Sequence, residues 1–283
     1  MRGRFAQAGI DTPDLDARMI LEQRIDLSLS DIIARPHHIL SEAHAAQIQK
    51  DTQERLSGKP VSRIFGEREF WGRAFKISNE TLDPRPDSET LIEAVIDVCG
   101  ERSPRHILDL GTGSGCLLIT LLTEYKDAQG VGIDLSADAV RTAQSNAEAL
   151  GVADRAQFLQ GSWYKPLEAA TNIPKSFDLV ISNPPYITNQ IIPTLSEEVQ
   201  KYDPILALDG GGDGLQAYKE ILLGLQKCVS KSAGIFLEIG FDQKSSVSRL
   251  SDESGFFVAR AFSDLGGRDR VLHLVEKITD GDK

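Results

Sequence analysis

Residues 106–115 read His106-Ile107-Leu108-Asp109-Leu110-Gly111-Thr112-Gly113-Ser114-Gly115. An apolar run of strand length passes straight into three alternating glycines, and a helix is expected from about Cys116. Glycine allows a sharp turn and lets backbone approach a ligand closely. The spacing is GxGxG with Cys at position 116, and no GK[ST] follows. Neither the standard dinucleotide fingerprint nor a P-loop fits that pattern. Taken alone, the segment also suits a plain strand-to-helix turn.

The next strand weighs against that bland reading. Gly130-Val131-Gly132-Ile133-Asp134 ends in an acid 19 positions after Gly115. A carboxylate at that strand end is placed to accept hydrogen bonds from ribose hydroxyls. Further strands are expected at 156–159, 177–182, 234–239, 256–263 and 270–275, with helical stretches between the first five strands. Alternation of this kind implies βαβ units and a mainly parallel seven-stranded sheet, doubly wound, covered on both faces. Leu179-Val180-Ile181 is continuously apolar, as a central parallel strand should be. The last two strands are separated only by Asp264-Leu265-Gly266-Gly267, which predicts an antiparallel edge hairpin.

A second chemical signal follows the 177–182 strand, which runs directly into Asn183-Pro184-Pro185-Tyr186. Two prolines hold φ near −65° and lack N–H donors, so the loop is rigid. The Asn183 side-chain oxygen and the Pro184 carbonyl can converge as two fixed acceptors, with the Tyr186 ring as a flat face. That set suits a planar NH2 group. An amide or aromatic amine nitrogen is a poor nucleophile because its lone pair is delocalised. Holding both of its N–H bonds orients it and assists charge development. Asn183, Pro184 and Tyr186 are therefore the candidate catalytic residues, and Asn183 to Tyr186, Pro185 included, the candidate substrate contacts.

The flanking sequence is organised differently. Residues 1–60 read as a small helical module. Thr12-Pro13 begins one helix, Ser41-Glu42 opens another that ends at Gly58, and Leu29 to Ile33 makes a short piece stopped by Pro36. Residues 61–83 are rich in aromatics and glycine, like a hairpin linker. Residues 84–283 form the α/β domain. Glu198–Leu215, with Pro204 and three consecutive glycines, reads as a surface loop or a lid.

Composition narrows the function. The 283 residues carry 31 Lys+Arg against 42 Asp+Glu, a formal net charge of −11, which disfavours nucleic-acid binding through bulk electrostatics. No apolar run is long enough to cross a membrane, and the opening MRGRFAQAGI has no apolar signal region, so a cytoplasmic protein is expected. Three scattered cysteines and five histidines without HExxH predict no disulfide framework and no metal site.

Asp109-x-Gly111-x-Gly113-x-Gly115, Asp134 and Asn183-Pro184-Pro185-Tyr186 together resemble the class I S-adenosylmethionine-dependent methyltransferases that modify planar nitrogen. The chain is more closely similar to the protein-(glutamine-N5) methyltransferases that act on peptide chain release factors, the HemK/PrmC family. The similarity spans nearly the whole chain. It includes Gly66 to Gly72, Pro84 to Glu89, Glu198, Tyr202-Asp203-Pro204, Ala207 to Gly211, Asp213-Gly214-Leu215, Leu237 to Gly240 and Gly267 to Arg270. Where the family usually has Pro-Glu-Thr-Glu, this chain has Pro86-Asp87-Ser88-Glu89.

The resemblance implies S-adenosylmethionine as cofactor, held by Gly111 to Gly115, Asp134, Trp163 and Asn183. It implies the glutamine of the release factor Gly-Gly-Gln loop as substrate. The acidic balance and the extra helical module point to a protein substrate docked by residues 1–60. The family more often has an acid before the tryptophan; here that position is Ser162. Enzymes that methylate nucleobase exocyclic amines share the Asn-Pro-Pro-Tyr signature, which leaves a DNA adenine or RNA guanine methyltransferase as the alternative. A non-catalytic cofactor-binding module is the third reading.

Overall fold

The computed structural model describes residues 1–25, 27, 29–34, 37–100 and 102–277. Two strands, β1 (Glu67–Phe70) and β2 (Arg73–Lys76), form an antiparallel hairpin. Seven more build one sheet: β3 (His106–Leu110), β4 (Gln129–Asp134), β5 (Ala156–Gln160), β6 (Phe177–Ser182), β7 (Val229–Glu238), β8 (Phe256–Ser263) and β9 (Asp269–Glu276). Their spatial order is β5-β4-β3-β6-β7-β9-β8. The five strands from β5 to β7 run parallel, and β9 and β8 close the edge antiparallel.

Successive residues of the central strands face opposite sides, as the period of two requires. Ile107, Leu179 and Ile181 pack into one apolar layer, and Leu108, Leu110 and Val180 into the other. Both faces are thus covered, in keeping with the near-continuous apolar runs of β3 and β6. The chain winds outward from β3 to β5 and then returns to β6 on the other side of β3. The carboxyl ends of β3 and β6 therefore flank the topological switch point, where a crevice opens in sheets of this kind. Both chemical signals of the sequence start at those two strand ends.

The chain divides into two compact units, one of residues 1–66 with 196–202, the other of residues 67–195 with 203–283. The first contains helices Arg2–Gln7, Pro13–Ile25, Leu29–Ala34, Glu42–Leu56 and Val61–Phe65 around Phe5, Ala17, Ile20, Ile48 and Val61. Ser41 caps the fourth of these by accepting from the His44 N–H. Pro36, the expected stop of the third, lies outside the described residues.

Two expected boundaries differ from the packing. Residues 61–65 are helical and Val61 is buried in the first unit's core, so the hairpin begins only at Glu67. The second difference is helix Glu197–Tyr202, expected within the α/β domain. It packs in the first unit, where Glu198 pairs with the buried Arg55 at 2.6 Å. Arg55 also donates to the buried Asp16 at 2.6 Å. A buried acid in one sequence segment thus calls for a cation from another, and no local pattern reveals which.

Candidate functional site

A cavity opens at the switch point, within the second unit. The turn after β3 forms one wall through Gly111, Thr112, Gly113 and Ser114. Gly111 and Thr112 donate their backbone N–H groups to the Ile133 carbonyl, which fastens the turn to β4. A Cβ added at Gly111 or Gly113 would meet nothing within 4 Å, so both glycines present bare backbone to open space.

Gly115 does not share this role. It is absent from the cavity wall, and a Cβ there would sit 2.8 Å from Ile119 Cδ1 and 3.1 Å from Ala143 Cβ. Its glycine serves close packing of the following helix. Of the five loop residues expected to hold a ligand, Gly111 to Ser114 stand on the cavity wall and Gly115 packs behind it.

Asp134, at the end of β4, lines the cavity. Its Oδ2 accepts from the Gly113 N–H at 2.8 Å and its Oδ1 from the Ser136 N–H at 2.9 Å. Burial raises its pKa, and these backbone donors oppose the shift. Each oxygen keeps a further lone pair, so the carboxylate can accept from two hydroxyls. Trp163 also lines the cavity, and it holds φ at 48°. A bulky side chain in that left-handed region is strained, and strain of this kind clusters at ligand sites. Its ring packs partly on the second apolar layer, so core and wall roles coexist.

Asn183 and Pro185 complete the far wall. The Asn183 amide Nδ2 donates to Ser88 Oγ at 3.1 Å. Among the described residues, no hydrogen bond ends on Asn183 Oδ1 or on the Pro184 carbonyl. The Pro184 ring is buried and, like the Tyr186 ring, takes no part in the cavity wall, so what Pro184 can offer a ligand is its backbone carbonyl. The Tyr186 ring instead packs against the core while its hydroxyl reaches Glu238 Oε1 at 3.5 Å. Burial raises its pKa, so the phenol stays protonated and a donor at neutral pH.

The stretch expected as a loop or lid is anchored here. Ile187 donates to the Leu208 carbonyl and accepts from the Gly210 N–H. Gly210 presses on the backbone of Tyr186, where a Cβ would fall 2.8 Å from Tyr186 Cα.

Several site residues carried no local signal of their chemistry. Glu80, Leu82, Pro84, Arg85 and Ser88 form a wall contributed by the linker after β2, and Leu206 and Ala207 one contributed by the anchored stretch. Arg85 is held by the buried Asp203 at 2.5 Å. Two buried acids stand at strand ends near the site: Asp109, which accepts from Thr112 Oγ1 at 2.7 Å, and Glu238 at the end of β7. Burial pushes each carboxyl up to about 7. Both lie in stretches that carried the family resemblance, but nothing local showed that they would be buried.

Comparison with known proteins agrees with this architecture. Residues 1–66 match the PrmC N-terminal domain and residues 101–255 a methyltransferase domain. The release factor glutamine methyltransferase of Agrobacterium fabrum is 39% identical over 275 residues, covering 96% of this chain and 93% of that protein. The chain belongs to the release factor glutamine methyltransferase family. The member from Bradyrhizobium diazoefficiens is 40% identical over 277 residues, with 96% and 91% covered. Among solved structures, the hMettl16 catalytic domain in complex with MAT2A 3′UTR hairpin 1 matches with TM-score 0.58 over 98% of this chain and 92% of that one. At 16% identity, that likeness shows the fold alone.

As a member of this family, the chain is a methyltransferase whose cofactor is S-adenosylmethionine. The residues present fit that cofactor. Bare backbone at Gly111 and Gly113 leaves room for it, a carboxylate stands at the ribose position of the fold, and an indole lines the same cavity.

Proposed function

We infer that this chain methylates the side-chain amide nitrogen, N5, of the glutamine in the Gly-Gly-Gln loop of peptide chain release factors. The observation that carries this reading is the Asn183 carboxamide. Its Nδ2 is engaged by Ser88, which leaves Oδ1 as an acceptor on the wall of the glycine-lined cavity.

Bound S-adenosylmethionine supplies an electrophilic methyl on a sulfonium. Gly111 to Ser114 would cradle that ligand, Asp134 would accept from its ribose hydroxyls, and the Trp163 indole would offer an apolar wall to its base. Asn183 Oδ1 and the Pro184 carbonyl accept the two N–H bonds of the glutamine amide, so its nitrogen lone pair faces the methyl. Tyr186, standing behind the loop with its hydroxyl on Glu238, acts by stiffening the turn. In that geometry the nitrogen would take the methyl from the sulfonium as the C–S bond gave its electron pair back to sulfur, and the chain's own part is to hold the nitrogen in line. No strong base faces the nitrogen from this motif. The proton leaves after transfer, once the alkylated nitrogen has become strongly acidic.

The first unit recognises the protein substrate, and the reaction takes place in the cytoplasm, where translation factors work. A net charge of −11 favours a protein substrate over a nucleobase in a phosphate backbone. Incubation with methyl-labelled S-adenosylmethionine plus release factor, oligonucleotide or no substrate tests the reading. Label should enter only the release factor, and a Gln→Glu change in its Gly-Gly-Gln loop should abolish it. Label in the oligonucleotide, or in neither, would overturn the reading.

A further inference from the structure

Helix Ala137–Ala149 turns one face inward, and that face is built on Ala139, Ala143 and Ala147. Asn146, 1% exposed, is the polar member of the same face. A buried carboxamide is costly unless its groups find partners. Here the partners are backbone atoms of two sequence-distant segments. Asn146 Oδ1 accepts from the Lys76 N–H at 2.9 Å. Its Nδ2 donates to the Lys76 carbonyl at 3.0 Å and to the Ser114 carbonyl at 2.8 Å. Both N–H bonds of the carboxamide are thereby used.

The two segments lead into different walls of the cavity. Ser114 stands on the wall formed by the turn after β3. Lys76 ends β2, and the chain leaving it supplies the wall that runs from Glu80 to Ser88. A carboxamide carries the donor and acceptor of a peptide group, so Asn146 continues the hairpin at a free edge as a one-residue strand would. Its second N–H is left for the glycine loop. The bonds from Gly111 and Thr112 to Ile133, and from Gly113 to Asp134, hold the first part of that loop to β4. The Ser114 bond holds the last part to the helix, where Ala143 already closes against Gly115.

We propose that Asn146 is a positioning residue for S-adenosylmethionine: its carboxamide ties the Ser114 carbonyl to the Lys76 end of β2, so the glycine loop and the linker wall meet the ligand as one preorganised surface. A site whose walls need no ordering keeps more of its contact energy as affinity. With alanine at 146, the exposed Lys76 can turn its backbone groups to water. Ser114 is 3% exposed, so its carbonyl is orphaned unless the loop shifts. Calorimetry measures S-adenosylmethionine binding to Asn146→Ala and to a control, Ala147→Gly, which loosens the same buried face and leaves all three bonds. Asn146→Ala should weaken binding about tenfold, the equivalent of one net hydrogen bond. Ala147→Gly should lower Tm and keep the wild-type affinity. Equal losses of affinity in the two variants, or no loss in Asn146→Ala, would overturn the proposal.

Hydrogen exchange reads the tie itself and, on the wild-type protein, needs no variant. The Lys76 N–H is held by Asn146, and residues 76–78 stand off the cavity wall. Saturating S-adenosylmethionine should nonetheless slow exchange at 76–78 together with the loop amides of 113–115. In Asn146→Ala the ligand, again at saturation, should slow 113–115 and leave 76–78 as in the free protein. Slowing confined to the loop in the wild type overturns the coupling, and so does slowing of both segments in Asn146→Ala. Should Asn146→Ala fail to fold, the wild-type exchange comparison decides by itself.

Discussion

At the scale of single residues, the site depends on polar atoms whose second partners are already chosen. Asn183 has its NH2 on Ser88, and Asp134 has one backbone N–H on each oxygen. Asn183→Ala should lower kcat on the order of 10²–10³-fold, the usual loss for one preorganised hydrogen bond at a reacting centre. Single-turnover kinetics check this. Asp134→Ala should weaken S-adenosylmethionine by about 1.5–3 kcal/mol, as hydrogen bonds involving a charged group are worth. Calorimetry with unchanged affinity would remove Asp134 from the ribose role.

Asp109 makes a different prediction. Its folded pKa, about 7, lies above the ordinary 3.8 because burial penalises the charge, while the Thr112 hydroxyl pulls the other way. The folded protein therefore keeps a proton that the unfolded chain has released between about pH 4 and 7, and stability falls as pH rises through that window. Asp109→Asn removes a titrating group, so the drop in Tm from pH 5 to pH 8 should shrink. An equal drop in both proteins would show that this carboxyl does not carry the pH dependence.

At the scale of elements, the three glycines of one loop separate into two jobs. Gly113 opens onto the cavity, whereas Gly115 holds φ at 79° and leaves no room for a Cβ beside Ile119 and Ala143. Gly113→Val should leave a folded protein, with unchanged far-UV circular dichroism, that no longer binds cofactor. Gly115→Ala should lower Tm by straining and overpacking the helix start, with cofactor affinity of the folded fraction retained. Reversal of these two phenotypes would reverse the assignment.

The sequence showed that glycines were needed here and not which neighbour needed each, because that depends on Ala143 in another helix. The same limit explains the rest. Strands β3 and β6 and their loops were legible because apolar run, glycine spacing and Asn-Pro-Pro-Tyr are local patterns. The Ser88 and Arg85 wall was not, because its partners Asn183 and Asp203 lie about a hundred residues away in sequence. Val61–Phe65 was misread since five residues are too few to show helical periodicity beside an aromatic-rich hairpin.

At the scale of the molecule, one guanidinium ties sequence-distant segments of the first unit. Arg55 donates at 2.6 Å to Asp16, and lies 2.6 Å from Glu198 in the Glu197–Tyr202 helix. That helix has six residues, too few to be stable alone in water, so packing must hold it. The chain reaches it from the Asn183–Tyr186 loop and leaves it toward Leu206 and Ala207. No residue named on the cavity wall belongs to the first unit. Glu198→Ala removes the half-exposed member of the ion pair and leaves Arg55 with Asp16, so the global Tm should move little. Hydrogen exchange should nonetheless quicken across 196–202. Cofactor affinity should stay constant while the KM for intact release factor rises, because recognition of the protein substrate is the role inferred for this unit. Calorimetry, exchange and steady-state kinetics on the full-length variant read the three quantities separately. Faster exchange with an unchanged KM would exclude this helix from substrate recognition. A fall in cofactor affinity would mean that loosening the helix reaches the cavity along the chain that flanks it.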